Sequence, residues 1–314
     1  MPTARATPAT SAEAAASPAG QQTASRLLRS TAARSYDPEL EIDWSAPLLD
    51  GGWFIPEHRC SLYGTTLWRE LTPAQRIELS KHEAASVAGT GIWLELILMR
   101  MLTKLAYAGD VSTGRVQYAL AEVAEECRHT IMFARLIDKL GTPGYHPGSV
   151  VTGLGSRLPA FASGPAMWAA ILLGEEITDR FQREMADDDS IQPVIRMVNR
   201  IHITEEARHI GFAREELRRA VARARTAELP AHRYLIARFG YIIARNLVNP
   251  QVYRAVGLDP RTTRQVALAN PRHRETIRFG GEKILAFLAG LGLVGPPGLA
   301  WWRRSFLLAA ENRK

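Results

Sequence analysis

The tetrapeptide Glu-x-x-His occurs twice in this chain, as Glu126-Cys127-Arg128-His129 and as Glu206-Ala207-Arg208-His209. Side chains three residues apart project from the same side of an α-helix, so each pair can reach one point in space together. A single copy says little, because surface helices are rich in Glu and His. Two copies, each written Glu-x-Arg-His and about eighty residues apart, point to two helices whose facing sides meet in a bundle.

The local signals supply those helices. Thr72-Pro73-Ala74-Gln75 reads as an N-cap, a proline at the first helical position and a capping-box glutamine. The helix it opens runs to Ala108, with a candidate break at Gly89–Gly91, and Gly109 stops it. A second helix covers about Thr113 to Leu140 and ends at Gly141-Thr142-Pro143. Residues Thr142 to Pro165 form a Gly/Pro-rich connection long enough to cross the end of a bundle. A third helix is expected over Ala166–Ala186, a turn over Asp187–Gln192, and a fourth long helix to about Ala227. Further helices, including Tyr234–Leu247 and Glu275–Leu291, complete the chain. No stretch alternates as a strand would. The fold class is therefore all-α, a ferritin-like four-helix bundle with one long crossover and additional C-terminal helices. Residues 1–35, rich in Ala, Ser, Thr and Pro, are expected to be a disordered tail. Residues 36–314 would form a single domain, with the bundle core at about 80–218.

Composition narrows the function classes. The 314 residues include only two cysteines, Cys60 and Cys127, without paired spacing, which excludes a disulfide framework and a CxxC electron-transfer module. The net charge of +7 is carried by arginines scattered along helices, with no zinc-finger, RNP or glycine-loop pattern beside them. No nucleic-acid partner is expected. The uncharged run Ile284–Trp302 is broken by four glycines and two prolines and cannot span a bilayer, so no membrane partner is expected either. A soluble, cytoplasmic protein is the reading, with a homodimer left open.

The two motifs need partners on the other two helices. In Gly91-Ile-Trp-Leu-Glu-Leu-Ile-Leu-Met99, Glu95 is the only charge, and a buried lone carboxylate costs several kcal/mol unless it is paired or metal-bound. The third helix offers Glu175 and Glu176; Glu175 shares a face with Trp168, Ile171, Leu172, Thr178 and Gln182 and is favoured, with Glu176 as the alternate. His202 stands one and two turns before Glu206 and His209 on the same stripe. The candidate set is Glu95, Glu126, His129, Glu175, His202, Glu206 and His209: four carboxylates and three imidazoles, with no thiolate. Such donors suit iron or manganese. Asp179, one turn after Glu175, is placed to orient a histidine N–H, and Arg128 and Arg208 to pair with Glu125 or Glu205. Cys127 reads as a packing residue, and Tyr107 and Tyr118 are the tyrosines nearest the motifs.

Taken together, Glu95, Glu126-x-x-His129, Glu175 (or Glu176) and His202-x-x-x-Glu206-x-x-His209 resemble the di-iron N-oxygenases of the p-aminobenzoate N-oxygenase type, over about Ser80 to Arg218. The third histidine is the more specific mark. The resemblance implies two irons with O2 as co-substrate, bound as a bridging peroxo species, and an external electron donor, either a protein or a small reductant. It implies a small-molecule amine of secondary metabolism as substrate, oxidised through hydroxylamine towards nitroso or nitro. The gap from Glu95 to Glu126 is shorter than in the amine oxygenases, and hydroxylation at carbon is the alternative within the family. Ferritin-like metal storage is the alternative outside it.

Overall fold

A computed structural model describes residues 18–309. The first two helices precede the bundle: α1 (Pro18–Ala33) and the short α2 (Pro38–Glu41). After a largely irregular segment, α3 (Thr66–Glu70) leads into the four long helices. These are α4 (Pro73–Ala108), α5 (Gly114–Lys139), α7 (Gly164–Ala186) and α8 (Pro193–Arg223), with α6 (Ser149–Phe161) lying in the connection between α5 and α7. A C-terminal layer follows: α9 (Leu229–Asn246), α10 (Pro260–Ala269), α11 (Pro271–Gly290) and α12 (Leu299–Ser305). Among the described residues there is no strand, only an isolated bridge between Trp53 and Ile191.

The helix starts follow from their caps. Thr72 accepts from the Gln75 N–H while the Gln75 side chain accepts from the Thr72 N–H, the reciprocal pair expected from the sequence. Thr113 caps α5 and Asn270 caps α11, each through its side chain. Helix α4 runs unbroken for 36 residues, so Gly89–Gly91 is not a break. Its glycine at 89 has another purpose: a Cβ there would lie 2.3 Å from the carbonyl oxygen of Tyr145. The crossover backbone is pressed against the helix at that point. By length and composition α4 could cross a membrane, yet 67% of its apolar stretch is buried inside the bundle.

Two segments hold more structure than their composition suggests. The tail expected over residues 1–35 is helical from Pro18 to Ala33, and α1 inserts Ala24 and Leu27 into the core between α5 and α8; residues 1–17 of that expectation lie outside the described residues. Alanine is the strongest helix former, so an Ala-rich segment folds once a few side chains find apolar neighbours. The crossover is also more structured than its glycines and prolines suggest. Helix α6 packs on α4 with Pro159 inside it, and Gly155 seats against Trp93, where a Cβ would come within 2.5 Å of the ring.

The core has two lobes. One gathers Trp93, Leu94, Leu98, Trp168, Leu172 and Phe212 with the C-terminal layer, and the other gathers Phe54, Leu79, Phe133, Ile195 and Tyr253. The polar cluster described next lies between them, on the facing sides of α4, α5, α7 and α8.

Candidate metal centre

Each bundle helix contributes to one buried cluster. Helix α4 supplies Glu95, α5 supplies Glu126 and His129, α7 supplies Glu175, and α8 supplies His202, Glu206 and His209. All seven are at most 4% exposed. The His129 Nδ1 lies 3.0 Å from Glu126 Oε2 and 3.2 Å from Glu206 Oε1. The His209 Nδ1 lies 2.8 Å from Glu126 Oε1 and 3.1 Å from Glu206 Oε1. The His202 Nε2 is 3.5 Å from Glu95 Oε1 and 3.6 Å from Glu206 Oε1. Two overlapping groups emerge, Glu95–His129–His202–Glu206 and Glu126–His129–Glu206–His209, with Glu175 joining Glu95 and Glu126 in a third.

The two adjacent glutamates of α7 face different neighbours. Glu176 turns away and holds Arg214 through both carboxylate oxygens. Glu175 instead faces Glu206 and Glu95.

Outside this cluster, each motif histidine uses its second nitrogen to anchor itself. His129 Nε2 is 2.8 Å from Glu205 Oε2 on α8, and His209 Nε2 is 2.8 Å from Glu125 Oε2 on α5. The two helices thus brace each other's imidazoles crosswise. Arg208 donates to Glu125 at 2.6 Å, and Arg128 lies 3.6 Å from Glu205. The last residue expected to be tail also takes part: Ser35 accepts from Arg128, and the next residue, Tyr36, donates its N–H to Glu205. His202 bonds Gln182 through Nδ1 at 2.8 Å. Gln182 therefore fills the orienting role expected of Asp179, which is held by Arg183 instead. Cys127 is exposed rather than a packing residue, its thiol 3.5 Å from the Met99 sulfur.

Glu122 was missed by the motif reading, although it stands one turn before Glu126 on the same stripe. It is fully buried, neither oxygen has a hydrogen-bond partner, and burial pushes its carboxyl up to about 8. Tyr118, one turn further back, is also fully buried, with its hydroxyl unpartnered.

The electrostatics of the cluster are those of negative groups without enough protein cations. Burial, and then the negative charges of Glu126 and Glu206, hold Glu95 well above the ordinary carboxylate range. Burial, Glu206 and Glu95 do the same to Glu175. Burial alone would depress His129 and His209, but the carboxylates around them win and raise both well above the usual imidazole value. Burial drives His202 down to about 4. Glu95 Oε2, Glu206 Oε2 and His202 Nε2 have no hydrogen-bond partner. Orphaned, converging lone pairs of this type fit cations, and the oxygen and imidazole donors suit iron or manganese.

A bundle whose four helices converge four carboxylates and three imidazoles defines the class of di-metal carboxylate proteins. The chain belongs to the p-aminobenzoate N-oxygenase AurF family, whose model matches residues 17–292. It is thus a di-metal oxygenase. Uncharacterised proteins of Mycobacterium tuberculosis and Mycobacterium bovis are 28% identical to it over 294 residues, covering 86% of this chain and 82% of theirs. A solved structure, a mutant of an R2-like ligand-binding oxidase with aerobically reconstituted Mn/Fe cofactor, aligns over 92% of this chain and 91% of its own, with a TM-score of 0.46 and 13% identity.

Proposed function

We propose that this chain uses two iron ions and O2 to oxidise the nitrogen of a small, largely apolar amine. The observation that carries the reading is where the cluster opens. Glu95, Glu175 and His202 form one wall of a mostly apolar cavity of about 110 Å³, bounded by side chains such as Leu94, Phe133 and Val198. A storage protein needs a route for hydrated ions to its metals, and an apolar chamber against them is the wrong lining. A chamber of this size is of the same order as the ~150 Å³ that admits a benzene ring.

The residues divide the work. Glu95, Glu126, Glu175 and Glu206 would supply the anionic oxygens, and His129, His202 and His209 the nitrogens. When bound, the iron pair supplies the activation of O2 and accepts electrons from an external donor. The net change for the first step inserts one oxygen atom into an N–H bond to give the hydroxylamine. The other oxygen atom leaves as water, with two electrons and two protons consumed. Glu125 and Glu205 keep the imidazoles oriented with their inner nitrogens toward Glu126 and Glu206, while the apolar walls exclude water from the reacting face.

Membership of the N-oxygenase family favours nitrogen over carbon as the oxidised atom. The test is an aerobic reaction of iron-loaded protein with reductant and aromatic amines under 18O2, read by mass spectrometry. Label in a hydroxylamine, nitroso or nitro product is the expected result. Label found only at carbon replaces the reading with hydroxylation, and uptake of many irons per chain without product replaces it with storage.

A further inference from the structure

The lining of the cavity beyond the metal ligands says what the far end of the substrate can be. Asn199 lies three residues before His202 on α8, so it continues the stripe Asn199–His202–Glu206–His209 by one turn, roughly 4.5 Å along the axis. It lines the cavity, is 5% exposed, and its side-chain nitrogen has no hydrogen-bond partner. A buried amide donor left unsatisfied is costly, so a ligand that accepts from it recovers that cost. From the C-terminal layer, α11 presents His273 to the same cavity, 7% exposed and with an unpartnered Nδ1. Burial, reinforced by Arg245, holds His273 down to about 4, so at neutral pH it offers a dipole and not a charge.

The cavity's charges are already spent. Its lone arginine, Arg59, is fixed by Glu184 through bonds of 2.9 and 3.2 Å and stacks 4.0 Å from the Phe279 ring centre. Nor does the metal centre provide a surplus: four carboxylates balance two divalent cations. Arg245 acts on His273 from behind and is not part of the lining, so a carboxylate placed at the far end would be buried against dipoles, with no free cation in contact with it.

We propose that the pocket selects an uncharged substrate body, with a neutral hydrogen-bond acceptor such as a carbonyl, ester or amide oxygen seated on Asn199, and that it discriminates against a carboxylate there. The inference rests on the amine-oxidation reading for which end of the substrate faces the metals. It sets this chain apart from the acid that names its family.

The experiment compares isosteric pairs on the iron-loaded full chain under anaerobic conditions, by calorimetry: p-aminobenzamide against p-aminobenzoate, and benzamide against benzoate. The amide is expected to bind at least tenfold more tightly in each pair. Asn199→Leu should weaken the amides at least fivefold and leave the acids unchanged, closing the gap. Acids that bind as tightly as the amides, or amides that do not bind, overturn the proposal on the unsubstituted protein, whatever the variant does. Tight, Asn199-dependent amide binding without nitrogen oxidation supports the pocket assignment and removes the N-oxygenase reading, so the two failures are separable.

Discussion

The crosswise bracing of the histidines gives the sharpest test of how the centre is built. Glu205 receives His129 and Glu125 receives His209, both at 2.8 Å, the length of a charge-assisted bond. Each carboxylate is 1% exposed, so little water can replace it. Changing either to glutamine keeps the shape and a neutral acceptor but removes the charge. Hydrogen bonds to charged groups contribute about 1.5–3 kcal/mol and neutral ones about half as much. The difference reaches roughly 1.4 kcal/mol at the upper end of that range, one factor of ten in metal affinity and the lower end of what such outer partners contribute elsewhere. Glu125→Gln and Glu205→Gln should therefore each weaken metal binding by roughly three- to tenfold. The double variant should lose less than the product, because Arg128 lies within 3.8 Å of both carboxylates and couples them. The assay is anaerobic competition for Fe(II) against a chelator, with Glu215→Gln on the surface as control. If both single variants bind within twofold of the parent, the imidazoles do not depend on these carboxylates and the bracing has no consequence for the metals.

Other perturbations separate neighbouring roles. Glu175→Gln should lose metal, whereas Glu176→Gln should keep full metal content and lower the unfolding midpoint through loss of the Arg214 pair; equal metal content in both would reject the assignment on α7. Gly89→Ala drives a methyl into the Tyr145 carbonyl at 2.3 Å and should cost about 1–3 kcal/mol in urea unfolding, a figure typical of overpacking. An unchanged midpoint would mean that the crossover is not pressed on α4. Glu83, outside the cluster, is held up to about 7 by burial despite its bonds from Ser61. The folded state thus keeps its proton where the unfolded chain has lost it, and stability falls as pH rises from 4.5 to 7, by a total on the order of 3 kcal/mol. Glu83→Gln should flatten that slope, and a slope identical in parent and variant would exclude Glu83 as its source.

The four core helices were legible because caps and stop signals at Thr72, Thr113 and Gly141 mark them and the Glu/His stripes repeat at helical spacing. What the chain hides is mostly tertiary. Helix α1 looks like a low-complexity tail because small and polar residues dominate it, and only its packing on α5 and α8 shows that Ala24 and Leu27 are core. Asp179 and Gln182 both follow Glu175 on one side of α7, and only the pull of Arg183 on Asp179 leaves Gln182 to meet His202. Glu125 and Glu205 were written in the sequence all along. The repeated unit is Glu-Glu-x-Arg-His, and its first glutamate braces the other helix's histidine rather than its own. Spacing within one helix cannot express that, because the partner is supplied by the facing helix.

The same convergence fixes the proton balance of metal loading. With the protein's own groups alone, Glu95 and Glu175 sit above the carboxylate range and His129 and His209 above the imidazole range, while Glu126 is drawn down to about 2 and Glu206 lies well below the ordinary value. Glu95, Glu175, His129 and His209 are thus all shifted toward their protonated forms when the cluster has only the protein's own groups around it. Two divalent cations with four carboxylates and three neutral imidazoles sum to zero, so loading metal exchanges protons for cations without leaving net charge in the core. One proton from each of those four groups is the most that loading two metals should release. Calorimetric titration of chelator-stripped protein with Mn(II), repeated in buffers of different ionisation enthalpy, measures that number directly. A count near four, falling as the pH is raised, is the expected outcome. Binding of two metals with no proton released would show that the carboxylates face one another fully ionised, and the account of how this bundle tolerates them would fail.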